Sequence, residues 1–136
     1  MITAVDTNVL LDVFAADPTF GPRSREALRR YVREGRMVAC EVVWAETAAF
    51  FPSPASFTQA MARLGIDFSS MDERAALAAG AAWNRYRARG GRRERVMADF
   101  LIGAHAIAHA ERLLTRDRGF YRTYFSGLKI IDPTVG

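Results

Sequence analysis

Four acidic residues stand where a parallel α/β chain would place chemistry. Asp6 directly follows the apolar run Ile2-Thr3-Ala4-Val5, and Asp117 lies two positions beyond Thr115 at the end of Arg112-Leu113-Leu114-Thr115. Glu46 lies on a helical segment after a second apolar run, Met37 to Cys40, and Asp99 is at the start of the apolar stretch Ala98 to Ala110. Open parallel sheets bind ligands beyond the carboxyl ends of their strands, so all four acids can reach one edge of the sheet. Carboxylates at close range repel one another, and a hard cation such as Mg²⁺ or Mn²⁺ is the usual resolution. Such a cation can lower the pKa of a water for attack and stabilise charge on a leaving oxygen. Each acid alone also has a plainer use. Asp6 and Asp99 suit helix N-termini, Asp117 a turn, and Glu46 a solvated helix face. Their setting against strongly apolar segments favours a shared site.

The elements that must hold these acids are legible from periodicity and punctuation. Buried strands are expected at Ile2–Val5, Met37–Cys40, Arg112–Thr115 and Leu128–Ile131, with Ile66–Phe68 as a short fifth. Helical spacing is expected over Val9–Phe14, Arg23–Arg33, Glu41–Phe51, Ser56–Leu64, a longer stretch from Met71 to about Arg89, Ala98–Ala110 and Phe120–Tyr124. Gly35, Gly65 and Gly90-Gly91 close helices, and Pro52 and Pro54 end another. Strands alternating with helices, without hairpin signals, imply an α/β fold. The expectation is a three-layer α/β/α arrangement with a mostly parallel sheet of four to five strands. No linker, repeat or low-complexity segment interrupts residues 1–136, so one domain is expected.

Half of the residues are hydrophobic and a quarter charged, as in ordinary folded domains. Cys40 is the only cysteine, which excludes an intramolecular disulfide. The N-terminus has no basic region followed by a long apolar stretch, and no segment approaches the roughly 20 apolar residues of a membrane span. The expected compartment is the cytoplasm, with no membrane association. The net charge is +4, and Lys129 is the sole lysine among 19 basic residues. Arginine suits bidentate contact with phosphate, although an arginine-rich composition alone explains the same count. Arg92, Arg93 and Arg95 immediately precede Asp99, and Arg116 and Arg118 bracket Asp117. All five are candidates for RNA phosphate contact, the alternative being a solvated basic surface. His105 and His109 share a zinc-like spacing, but Ala106 stands where a metalloprotease helix carries Glu, and packing roles are expected. Gly103, one turn after Asp99, is expected to permit close packing. Phe50-Phe51-Pro52 could form part of a hydrophobic surface for a partner.

The motifs together resemble the PIN-domain family, in particular its VapC-type bacterial toxins. Ala4-Val5-Asp6-Thr7-Asn8-Val9-Leu10-Leu11-Asp12 resembles the family's opening, and Trp44-Ala45-Glu46 its second acidic motif. Asp99-Phe100-Leu101-Ile102-Gly103-Ala104-His105-Ala106 resembles the third. Leu113-Leu114-Thr115-Arg116-Asp117-Arg118-Gly119-Phe120-Tyr121 resembles the fourth, and Ile131-Asp132-Pro133 the family's ending. The resemblance spans nearly the whole chain in the family's order. It implies a PIN-like domain that is a divalent-metal-dependent endoribonuclease, hydrolysing RNA phosphodiester bonds with metal-activated water. As the toxin of a toxin–antitoxin pair, such a protein is held inactive by a cognate antitoxin and forms a homodimer. By the same resemblance Asp6 and Asp99 are the main metal ligands, and Glu46 and Asp117 complete the acidic site. Asn8 and Thr115 then hold carboxylates or water around it. Arg118 and Gly119 stand where some relatives carry a further acid or asparagine, which separates the role of Asp117 from that of the principal pair.

Two other classes compete. A non-catalytic PIN-like RNA- or protein-binding module would be expected to lack some of the acids, and all four are present. A phosphotransferase using Asp6 as nucleophile would place a second Asp two positions on, where this chain has Asn8.

Overall fold

A computed structural model describes residues 1–91 and 95–135. Among these residues five strands are separated by one or two helices each, seven in all: β1 (Ile2–Val5), α1 (Thr7–Phe14), α2 (Gly21–Glu34), β2 (Arg36–Ala39), α3 (Glu41–Ala48), α4 (Pro54–Leu64), β3 (Ile66–Phe68), α5 (Glu73–Ala88), α6 (Met97–His109), β4 (Arg112–Leu114), α7 (Arg118–Tyr124) and β5 (Lys129–Ile131). The sheet runs in the order β3-β2-β1-β4-β5, and every neighbouring pair is parallel. The expectation of four to five mostly parallel strands resolves to five, all parallel.

Strands covered on both faces lose the alternation of half-buried strands and read as apolar runs. Ala4, Val5, Met37, Val38, Ala39, Leu113 and Leu114 are accordingly all buried. Two aromatic clusters cover the sheet. Phe14, Trp44, Phe51 and Phe57 join α1, the end of α3 and α4 through edge-to-face contacts. Trp83, Phe100, Phe120 and Tyr124 bind α5, α6 and α7. A Cβ added at Gly103 would come within 2.5 Å of the Phe125 ring, so this glycine lets the ring seat directly on α6. Among the described residues no helix is long and apolar enough to cross a membrane.

Several helix boundaries differ from the sequence pattern: α1, α4, α5 and α7 each begin two residues from the expected position, and Pro54, expected to end a helix, sits in the first turn of α4. Two further differences also trace to proline. The segment from Glu41 leaves the α-helix at Ala48 rather than Phe51. Phe50 and Phe51 instead donate to Thr47 and Ala48 at 3.1 and 3.0 Å in tightened turns, because the residue before Pro52 is disfavoured from helical geometry. Helix α2 begins at Gly21, ahead of Arg23, since Pro22 is compatible with a first helical turn.

Candidate active site

The strand order reverses direction at β1, which lies between β2 and β4. Ligand sites of open α/β sheets form at this switch, outside the carboxyl ends of the strands. The register pairs Val5 with Leu114, so the next residues, Asp6 and Thr115, emerge side by side. Asp6 is buried, 5% exposed, and its carboxylate is thoroughly held. Oδ2 accepts from the Thr115 hydroxyl at 2.8 Å, the Tyr121 hydroxyl at 3.1 Å and Asn8 Nδ2 at 3.3 Å. Among the described residues Oδ1 accepts only the Thr7 amide, at 2.7 Å, and keeps acceptor capacity.

Thr115 is the junction of this network. Besides its bond to Asp6, its hydroxyl accepts from Asn8 Nδ2 at 3.3 Å and from the Asp117 amide at 3.0 Å. Asn8 Oδ1 in turn accepts the Arg116 amide at 3.2 Å, tying α1 to the turn after β4. Tyr121, one turn after Asp117, has no role that its sequence position alone signals. Burial pushes its phenol up, and the nearby Asp6 carboxylate adds to this, so it serves as a neutral donor.

Asp99 stands on the first turn of α6, where its Oδ2 accepts the Val96 amide at 3.2 Å. Among the described residues its other oxygen has no hydrogen-bond partner. Burial raises its pKa above the ordinary carboxylate range; the Val96 bond and Arg95 oppose this, and the charge of Asp117 adds to it. For Asp6 burial is again the first cause. It outweighs the bonds from Thr115, Thr7 and Tyr121, and with Asp99's charge it pushes the pKa up to about 6. The two carboxylates therefore share one electrostatic environment, and neither forms an ion pair among the described residues.

The other two acids are placed differently. Exposed Glu46 accepts the Thr7 hydroxyl at 2.7 Å, which anchors it to the residue beside Asp6. Asp117 is forked by Arg95, whose Nη2 donates to Oδ1 at 2.9 Å and whose Nη1 donates to Oδ2. Of the five arginines expected at the rim, Arg92 and Arg93 lie outside the described residues. Arg116 is committed to buried Asp12, donating at 2.8 and 3.0 Å, and lies over the Phe20 ring at 3.9 Å. Ser24 donates to the same Asp12 at 2.8 Å. This three-residue assembly was not foreseen, because nothing in the spacing of positions 12, 24 and 116 connects them. Exposed Arg118 lies 3.7 Å from Asp132.

His105 and His109 face away from this network. Buried His105 shares a 3.0 Å hydrogen bond with Ser69, and His109 lies 3.4 Å from Asp72. Phe50 is half exposed beside a cavity of about 270 Å³ lined by Trp44, Phe51, Pro52 and Phe57.

The donor set fits a hard divalent cation. Two desolvated carboxylates with unused oxygens and, among the described residues, no direct ion pair form a strongly cation-attracting place, with the Arg95 charge near Asp99 as a partial offset. Among those residues no group of three or more acids, histidines or cysteines is gathered tightly enough to hold a metal by itself. That suits an ion that keeps several waters and is bound by one or two carboxylates with substrate phosphate, as Mg²⁺ commonly is.

The fold and site thus define a parallel α/β domain with paired carboxylates at its topological switch. The chain belongs to the PIN-domain family, whose pattern matches residues 3–126. Among solved structures, a chain of VapBC2 from Rickettsia felis, bound to a promoter DNA fragment, has a TM-score of 0.74 at 17% identity, covering 97% of this chain and 98% of that one. VapBC-1 from nontypeable Haemophilus influenzae gives 0.74 at 20% identity, covering 99% and 100%. VapC20 of Mycobacterium tuberculosis, a Sarcin-Ricin loop cleaving toxin, gives 0.58 at 16% identity, covering 93% and 98%. At these identities the likeness establishes the fold. No curated protein matches the sequence.

Proposed function

We propose that this chain is a divalent-metal-dependent endoribonuclease, the toxin of a toxin–antitoxin pair, carried by one PIN-like domain over residues 1–136. The observation behind the reading is the pair of buried or half-buried carboxylates, Asp6 and Asp99, with no direct ion pair among the described residues, at the switch point of the sheet. Family membership supports it, as do structural neighbours described as VapBC assemblies and a Sarcin-Ricin loop cleaving toxin.

Asp6 and Asp99 would hold Mg²⁺ or Mn²⁺, with Glu46 and Asp117 at the flanks. When bound, the cation supplies Lewis acidity toward a phosphate oxygen and lowers the pKa of a water. Thr115, Tyr121 and Asn8 engage Asp6 Oδ2 and so orient the carboxylate with Oδ1 available. Glu46, held through one oxygen by Thr7, would accept a proton at the other. RNA is the substrate, a cognate antitoxin and a second copy of the chain are the partners, and the cytoplasm is the compartment.

Purified chain free of any partner should cleave RNA in Mg²⁺ or Mn²⁺ and stop in chelator. Asp6→Asn and Asp99→Asn should each abolish cleavage; metal-stimulated activity surviving both would remove the site assignment. A non-catalytic PIN-like binding module is the second reading, favoured by the Arg95–Asp117 fork and by the absence, among the described residues, of a ready metal cluster. Failure to bind Mn²⁺ at millimolar concentration would select it.

A further inference from the structure

The Arg95 guanidinium is lodged within the acidic pocket. It donates through two nitrogens to both oxygens of Asp117, and its Cζ lies 4.4 Å from the centre of the Phe120 ring. Asp117 first, and then the charge of Asp99, hold this guanidinium protonated. Arg95 in turn eases the ionisation of Asp99. With both oxygens of Asp117 engaged, the fork occupies the carboxylate edge that a metal would use. The two side chains are 30% and 33% exposed, so the pair can open without unpacking the core.

We propose that Arg95 is the pocket's internal counter-ion, competing with a divalent cation for Asp117, so that metal binding opens the Arg95–Asp117 fork. This rests on the metal-site reading above. A guanidinium and a divalent cation repel at short range, and the edge between the two oxygens of one carboxylate holds only one of them at a time. Metal affinity is therefore lower than the acids alone would set, and the coupling runs both ways. Once released, the guanidinium remains beside Phe120, next to the pocket. There a phosphate presents two oxygens in the geometry the fork already matches. Arg95 is thus a positioning residue for the metal and a conditional ligand for phosphate.

Calorimetric Mn²⁺ titration of the full chain at fixed ionic strength tests this, using wild type, Arg95→Gln, Asp117→Asn and the double variant. Arg95→Gln should tighten Mn²⁺ binding by about 5- to 50-fold. In the Asp117→Asn background the same change should alter affinity by less than about twofold, because the contested carboxylate is gone. An equal gain in both backgrounds would overturn the proposal in favour of general charge repulsion. Wild type and Arg95→Gln binding equally would overturn it while leaving the metal site standing. No binding by any of the four would overturn the metal-site reading and the competition with it. Arg95→Lys keeps the charge without the fork; it should show part of the gain, and it stands in if the Gln variant fails to fold.

Discussion

The Thr115 hydroxyl donates to Asp6 Oδ2 at 2.8 Å, joining positions 109 residues apart in the chain. Parallel pairing of β1 with β4 brings them together, and the Asp6 amide continues the ladder by donating to Leu114 O at 3.0 Å. A buried carboxylate is thereby held by groups from three elements before any cation arrives.

Thr115→Val keeps the side-chain shape but removes one donor and the acceptor for two N–H groups. Loss of this junction should destabilise the protein by about 1–3 kcal/mol. Urea unfolding measures it; a stability equal to wild type would mean that these bonds contribute nothing net.

Asp6→Asn should stabilise the metal-free protein above pH 6. The Asp6 carboxyl titrates near 6 in the fold against 3.8 for an ordinary Asp. Below 3.8 both folded and unfolded chains carry the proton, and burial of the charge costs nothing. Between these values the unfolded chain alone ionises, so stability falls as pH rises; above 6 the full cost is present, on the order of 3 kcal/mol. Asn removes that cost, less what its amide loses in reorienting toward the two hydroxyls. Thermal melts at pH 4 and pH 8 check the sign, and a gain independent of pH would contradict it. Mn²⁺ should raise the melting temperature of wild type and not of this variant.

Arg116→Ala should destabilise by about 3 kcal/mol, because it leaves buried Asp12 with Ser24 as its remaining side-chain partner. Arg118→Ala, at an exposed position, should change stability by less than about 0.5 kcal/mol. Denaturant midpoints distinguish them. A neutral Arg116→Ala would return that arginine to the set available for RNA.

Gly103→Ala should cost about 1–3 kcal/mol, since the new methyl meets the Phe125 ring at 2.5 Å. Calorimetry of the variant tests this; an unchanged melting temperature would show that α7 and the segment after it shift freely. Gly80→Ala on α5, where an added Cβ meets nothing within 4 Å, is the control and should be neutral or stabilising.

Most of the fold was legible because its signals are local. Ile2–Val5 and Arg112–Thr115 read as strands because burial on both faces demands apolar runs, and the structure has them at Ile2–Val5 and Arg112–Leu114. Ala98–Ala110 read as a central helix because it is apolar nearly all round, and the structure has it at Met97–His109. Where proline shaped a helix end, at Phe51 and Pro22, propensity alone misplaced the boundary by two or three residues.

The placement of the four acids was also legible, because each adjoins an apolar segment whose element the pattern identifies. Their partners were not. The sequence by itself determined an α/β chain of PIN type, with Asp6, Glu46, Asp99 and Asp117 on elements that meet at one sheet edge. Only the tertiary structure decided that Arg116 belongs to Asp12, that Arg95 closes on Asp117, and that Tyr121 bonds Asp6. A strand or helix is specified by neighbours along the chain. A charge takes its partner from whatever the fold brings within about 3 Å, at a strength set by burial, and neither quantity is written in sequence spacing.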